Sequence, residues 1–348
     1  MNRAAGLIAA AVLAATVLAG PACGTRGGPV LHVYTWSDYI KPALVARFER
    51  ENGCRVVIDT FDSNEAMYAK LKAGAAGYDI LTPTSYMVSV LRSQGLLRPL
   101  DRARLPNLVH VDPDHLRLAL DKTMDHSVPY MITNTGLAYL RSRVRDFVPS
   151  WSMFDRADLK GRMVMLNDMR ETIGAALKFL GRPLNSTDEA DLAAARDVVL
   201  RWRKNLAKFE NEQYKTGLAS GEFLLVHGYS GDALQVRAEN PDVAFAMPRE
   251  GGAVSCDDLV ILRDAREPGL AHAFINFLHD PAAAAENTAF TRYLCPNKDS
   301  YPLLDPALRS DPAVFLDPAV RAKCEIFVDL GADNSKWVKV WDEIKAAK

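Results

Sequence analysis

The sequence predicts an α/β protein of two domains, and three observations carry that expectation. Short apolar runs of strand length alternate with stretches of helical spacing between residues 31 and 278, an order that builds mostly parallel sheets covered by helices. The 348 residues are more than one domain commonly holds, at roughly 150 residues each. Several strand-like runs also end in tips that mix aromatic rings with carboxylates, and the carboxyl ends of strands in such sheets are where ligands bind. A hydrophobic share of 49% and a charged share of 24% are ordinary for a globular chain, and a net charge of −1 supplies no global field toward nucleic acid or anionic lipid.

Residues 1–22 carry an early Arg3 and then an apolar run from Leu7 to Ala19 interrupted only by Thr16, the pattern of a secretory signal. The run is shorter than the about 20 apolar residues a membrane span needs. Small residues lead into Cys23, which predicts cleavage and lipid attachment there, with residues 23–30 as a tether; ordinary cleavage to a free soluble protein is the rival. With Cys23 set aside, Cys54, Cys256, Cys295 and Cys324 remain, and an exported compartment permits two bridges, one or none.

In chain order, Leu31 begins a strand that runs to Trp36 and the tip Ser37-Asp38-Tyr39, followed by a helix over 43–50. A strand over 55–61 precedes a helix over 64–73 with Ser63 as cap. A short strand over 78–83 ends at Thr84-Ser85-Tyr86, and a helix over 87–94 is closed by Gly95. The extended run 128–134 is the expected first crossing between domains. Beyond it, a short helix starts at Trp151, a strand over 161–166 leads into Asn167-Asp168-Met169-Arg170-Glu171, and a helix continues to Leu180. A long amphipathic helix over 188–206 follows, then a strand over 221–227 that ends at Gly228-Tyr229-Ser230-Gly231-Asp232. A strand over 243–247, a return crossing at 253–255, a strand over 259–262 and a helix over 270–278 complete the pattern. The division expected is residues 31–130 plus 254–302 in one lobe and 131–253 plus 303–348 in the other.

The first tip sets the chemistry. Trp36 and Tyr39 offer π faces beside the carboxylate of Asp38, a combination that attracts an organic cation while apolar walls cover its carbons. Every candidate also has a structural role open to it. Trp36, Tyr39, Tyr86 and Tyr293 suit packing, Asp38 a turn, and Ser85 a helix cap. Asp168 and Glu171 have capping-box spacing, Asp232 is a first-turn helix acid, and Asp257 beside Asp258 suits a turn. Their shared position at strand ends favours a cleft over these separate roles.

Two other chemistries compete. Ser230, between Gly228 and Asp232, looks like a nucleophile turn, but a hydrolase elbow needs Gly-x-Ser-x-Gly and Asp232 would crowd the last glycine position. His110, Asp112, Asp114 and His115 cluster in a polar run that reads as a solvated loop rather than a metal site. No CxxC and no Gly-rich phosphate loop with Lys is present, and basic residues are not interleaved with aromatics, so no metal, cofactor or nucleic acid is expected.

Quoted in order, Trp36-Ser37-Asp38-Tyr39, Ser63-Asn64-Glu65-Ala66-Met67-Tyr68, Gly77-Tyr78-Asp79-Ile80, Val128-Pro129-Tyr130, Asp168-Met169-Arg170-Glu171, Gly228-Tyr229-Ser230-Gly231-Asp232, Asp257-Asp258-Leu259, Phe274-Ile275-Asn276-Phe277 and Tyr293-Leu294-Cys295-Pro296-Asn297 resemble the periplasmic spermidine/putrescine-binding proteins of ABC importers. The likeness spans the chain beyond the signal segment. It implies a two-lobe, type II periplasmic-binding-protein fold, each lobe a mixed, mostly parallel sheet flanked by helices, with the ligand cleft between. It further implies a monomer that passes a polyamine to a membrane permease without catalysis. A receptor retuned to another cationic amine or amino-acid derivative is the alternative within that class.

Carried over by resemblance, Trp36 and Tyr39 match the first-lobe aromatic positions, with Ser37 and Asp38 between them, and Ser85 and Tyr86 fall in the next tip of that lobe. Asp168 and Glu171 match the second-lobe acids, Tyr229 stands where the family usually has Trp, and Asp232 matches an acid of the putrescine type. Asp257 matches the acid that holds an amine, and Tyr293 a tyrosine that lines the cleft. Ser255 stands where the family has an aromatic ring, and Phe327 near where the spermidine type has Gln. The tip and Asp232 favour the shorter diamine.

Overall fold

The structure, a computed structural model, describes residues 28–347; the expected signal segment and Cys23 lie outside the described residues. Nine strands are present: β1 Val30–Trp36, β2 Arg55–Phe61, β3 Ile80–Leu81, β4 Ser127–Leu140, β5 Met163–Met165, β6 Leu206–Phe209, β7 Leu225–Tyr229, β8 Val243–Ala246 and β9 Val254–Ile261. They follow the order β2-β1-β3-β9-β4-β7-β5-β6, with β8 also on β4. β1 is parallel to β2 and β3, and β5 is parallel to β6 and β7, as the strand–helix alternation requires. The antiparallel pairs all involve β4 or β9, the two segments that carry the chain between halves.

The first crossing is extended, as expected, and longer than the run 128–134 suggests. It is a 14-residue strand, nearly all of it buried, and so reads as a continuous apolar run rather than an alternating one. Residues 127–134 of β4 pair with β9, and residues 135–140 pair with β7 and β8, so one strand is central to both sheets. The return is likewise one unbroken strand, β9, and not a crossing followed by a separate strand. The chain passes this junction a third time, where Ala253 bridges Glu325 in parallel.

Each half buries its own core. Trp151, Phe154, Trp202 and Trp337 centre one, and Leu31, Val33, Phe48, Ile80, Tyr130 and Phe274 centre the other. The long helix occupies Glu189–Arg203 and buries Leu192, Ala195, Val199 and Trp202 along one face at helical spacing. It stops three residues earlier than its pattern suggests, because residues 206–209 leave to pair with β5. Helices Tyr214–Ser220, Pro281–Thr291 and Asn334–Ala346 escape the sequence reading. The last packs Trp337, Val340 and Ile344 inward. Ser63 caps its helix by accepting from the Ala66 amide at 3.2 Å.

Cys54, Cys256 and Cys295 are buried, Cys324 is half-buried, and none is bridged. Among the described residues no helix is long and apolar enough to cross a membrane.

Candidate ligand cleft between the lobes

Strand ends from both halves converge on one cleft. The first half contributes Trp36 at the end of β1, Ser37 and Tyr39 just beyond it, Thr84 and Tyr86 after β3, and Asp257 on β9. The second contributes Asp168 after β5, Glu171 one helical turn on, Tyr229 at the end of β7 and Asp232 in the first turn of the helix Ser230–Glu239 that follows. Tyr293 closes one side. Six rings, those of Trp36, Tyr39, Tyr86, Tyr229, Tyr293 and Phe327, line the space together with the carboxylates of Asp62, Asp168, Glu171, Glu212, Asp232 and Asp257. Only two cationic side chains, Arg170 and Lys215, oppose those six acids.

Asp257 forms the floor. It accepts hydrogen bonds from the Tyr39 hydroxyl and, at 2.6 Å, from the Thr84 hydroxyl. Asn64 fixes Thr84 in turn, donating to its hydroxyl at 3.0 Å and accepting from its amide at 3.1 Å. No cation pairs with Asp257, and burial pushes its pKa up to about 6. Its neighbour Asp258 faces the other side of β9, away from the cleft, and accepts from Ser85 at 2.7 Å and Ser127 at 3.2 Å; burial pushes it up to about 7.

In the second half, Asp168 does both things its position allows. It caps the helix Met169–Phe179, accepting from the amides of Arg170 and Glu171 at 2.8 and 3.0 Å, and its carboxylate also lines the cleft. Glu171 accepts from Thr135 at 2.7 Å, and burial, then the Asp168 charge, drive its pKa well above the ordinary range. Across the cleft, Glu65 accepts from the Tyr86 hydroxyl at 3.1 Å; burial and Asp168 push it up to about 7. Asp232 accepts from Tyr214 at 2.5 Å and Tyr293 at 2.8 Å. With six acids against two cationic side chains, the field of the site is satisfied by an incoming cation.

Arg170 lines the cleft and its charge acts on Asp168 and Glu171 through space, but it forms no ion pair with them. Its guanidinium donates to Asn185 at 2.8 Å and to the Val328 carbonyl at 3.1 Å, and it lies about 5 Å from the rings of Tyr86, Phe327 and Trp337.

Ten of the twelve residues singled out in the sequence meet on this wall: Trp36, Ser37, Tyr39, Tyr86, Asp168, Glu171, Tyr229, Asp232, Asp257 and Tyr293. Asp38 and Ser85 do not. Asp38 takes a left-handed backbone (φ 55°) that turns its carboxylate out to Lys215 at 2.9 Å. Ser85 points back to Asp258, and Thr84, one residue earlier, faces the cleft instead. Ser255 lines the wall without a ring, and Phe327 supplies one from the C-terminal segment. Asp62, Glu212 and Lys215 escape the sequence reading. The last two belong to a segment whose helix carries too few apolar residues to register.

Neither competing chemistry assembles. Ser230 is buried at a helix start, and His227, three residues away, is buried with both ring nitrogens unpartnered; no hydrogen bond joins the two. His110 pairs with Asp299 at 2.6 Å and His115 with Asp112 at 3.0 Å. Among the described residues, no cluster of His, Cys, Asp and Glu is arranged to hold a metal.

Residues 43–316 match the model of the bacterial extracellular solute-binding protein family. The chain belongs to that family. A putrescine/cadaverine-binding protein of Pseudomonas aeruginosa is 35% identical over 348 residues, 96% of this chain and 98% of that one. A solved Listeria monocytogenes structure, named as a spermidine/putrescine ABC transporter, superposes with a TM-score of 0.88 at 32% identity, covering 92% of this chain and 100% of that one. The Tp0655 (TpPotD) lipoprotein of Treponema pallidum superposes with a TM-score of 0.81 at 32% identity over 90% of this chain and 99% of that one. The fold of this solute-binding protein is thus the two-lobe, type II periplasmic arrangement, and its cleft lies where the two lobes face each other.

Proposed function

We propose that this solute-binding protein captures a polyamine, putrescine or spermidine, outside the cytoplasmic membrane and delivers it to an ABC importer. The observation that carries the reading is the cleft's charge balance. Six carboxylates meet two cationic side chains between aromatic walls, and the central acid, Asp257, has no cation of its own. A diamine fits that demand. Each ammonium needs a carboxylate because burying it unpaired is severely unfavourable, and its carbons need apolar faces. The named cargo of the similar Pseudomonas protein supports the same class. The ligand-facing set is Trp36, Ser37, Tyr39, Tyr86, Asp168, Glu171, Tyr229, Asp232, Asp257 and Tyr293, with Thr84 added.

A receptor that only captures and releases needs no nucleophile, and membership of a solute-binding family supports a protein without catalysis. The apolar leader ending at Cys23, with a lipoprotein among the structural relatives, supports a lipid-anchored monomer at the periplasmic face of the membrane. Residues 31–130 with 254–302, and 131–253 with 303–348, are the two bodies that close on the cargo. Ser255 in place of a ring favours a second reading, a different cationic amine. Isothermal titration with putrescine, spermidine, spermine and agmatine separates the two. Saturable binding of putrescine or spermidine is expected, and flat traces with all four remove the polyamine assignment.

A further inference from the structure

One acid at the rim of the cleft is already paired. Lys215, near the start of the helix Tyr214–Ser220, reaches across from the second lobe to Asp38 of the first, its ammonium 2.9 Å from the carboxylate. Its side chain is 18% exposed, against 57% for Asp38, so the charge lies on the cleft side of the pair. Tyr214, its chain neighbour, donates to Asp232, and Glu212 lines the same end of the cleft. Burial works against the ammonium, but Asp232, Asp38 and Glu212 outweigh it and hold the pKa of Lys215 above the ordinary lysine value.

The two ends of the cleft therefore differ. At the far end Asp168 and Glu171, with Asp257 between the ends, form no ion pair with a Lys or Arg: the guanidinium of Arg170 is held among rings and by Asn185, and its charge reaches Asp168 and Glu171 only through space. At the near end the protein's own ammonium already answers the acids. Resting on the polyamine reading above, we propose that Lys215 is a specificity-determining residue that limits cargo length: its ammonium occupies the place of a further ligand ammonium beside Asp38 and Asp232, so that diamines fit and triamines are repelled. A diamine sets its two charges on the unanswered acids. A triamine long enough to reach the near end brings a third positive charge against Lys215, and like charges at contact range inside a protein repel strongly. Asp38, engaged by Lys215, is at the same time withdrawn from the ligand.

The test is titration of the full mature chain with putrescine and spermidine, as wild type, Lys215→Met, Lys215→Gln and Lys215→Arg. Wild type is expected to favour putrescine. Removing the charge in Lys215→Met or Lys215→Gln is expected to shift the ratio of the two affinities toward spermidine by about tenfold or more. Lys215→Arg, which keeps the charge, should leave the ratio within about twofold, and this separates charge from mere loss of bulk. A wild type that binds putrescine, with an unchanged ratio in both neutral variants, overturns the role of Lys215 and leaves the polyamine reading standing. So does loss of putrescine binding in both neutral variants, since Lys215 would then be supporting the site. A wild type that prefers spermidine overturns the length limit. A wild type that binds no polyamine overturns both.

Discussion

Replacing Asp257 with Asn separates a binding acid from a structural one. The side chain is 4% exposed, accepts from Tyr39 and Thr84, and has no cationic partner. Burial moves its pKa from 3.8 to about 6. A folded value above the unfolded one means that the carboxylate destabilises the empty protein. The cost is absent below the unfolded value and complete above the folded one. At about 1.4 kcal/mol per unit, that cost is on the order of 3 kcal/mol at pH 7.5. Asn removes it and weakens the hydrogen bonds from the two hydroxyls, a loss of about 1–2 kcal/mol. The empty variant should therefore melt at, or a few degrees above, the wild-type temperature, at about 2–4 °C per kcal/mol for a chain of this class. Binding should respond in the opposite sense. Removing the partner of a buried ammonium costs about 2–5 kcal/mol, a rise in Kd of roughly 30-fold or more. Calorimetric titration with putrescine and thermal melts of empty and loaded protein measure both quantities. A variant that binds within about threefold of wild type, or whose empty form melts more than about 5 °C lower, refutes the reasoning.

Diamine affinity of the wild type should fall as pH drops from 7 to 5, because protons then compete for Asp257 near its value of about 6. The empty form should gain stability over the same interval, since Asp257, Asp258 and Glu65 all have folded values raised to about 6 or 7. An empty form that melts progressively lower from pH 7 to 5 contradicts this. Gly231→Ala should weaken diamine binding by about tenfold and destabilise the fold by about 1–3 kcal/mol. The new Cβ would meet the Tyr293 ring at 2.6 Å and push its hydroxyl off Asp232. Unaltered titration and melting curves in that variant argue that Tyr293 is free to move without consequence.

Much of the cleft was legible because its residues stand at strand ends, where pattern and chemistry coincide. β1 running into Trp36 and Tyr39, β7 ending at Tyr229, and the acids after β5 all follow from alternation plus tip composition. The misses have physical causes. A two-residue strand such as β3 leaves its register undetermined, and a slip of one residue exchanges Thr84 for Ser85 at the cleft. The left-handed turn at Asp38 has no glycine to announce it. Lys215 lies on a seven-residue helix with three buried side positions, too short for a periodic signal. β4 shows only its first half, 128–134, because a strand buried on both faces does not alternate and so gives no end signal before Leu140.

The junction between the lobes constrains how they move. β4 and β9 meet there side by side, with Thr133 opposite Ser255 and Asn134 opposite Val254, and the Val254 amide donates to the Glu325 carbonyl of the third passage at 3.0 Å. A ladder of backbone hydrogen bonds resists sliding along its own length but yields to twisting about it. Any relative movement of the lobes has to be carried by the coil of these strands, so a substitution that stiffens residues 133–135 or 253–255 is expected to slow cargo exchange without touching the cargo.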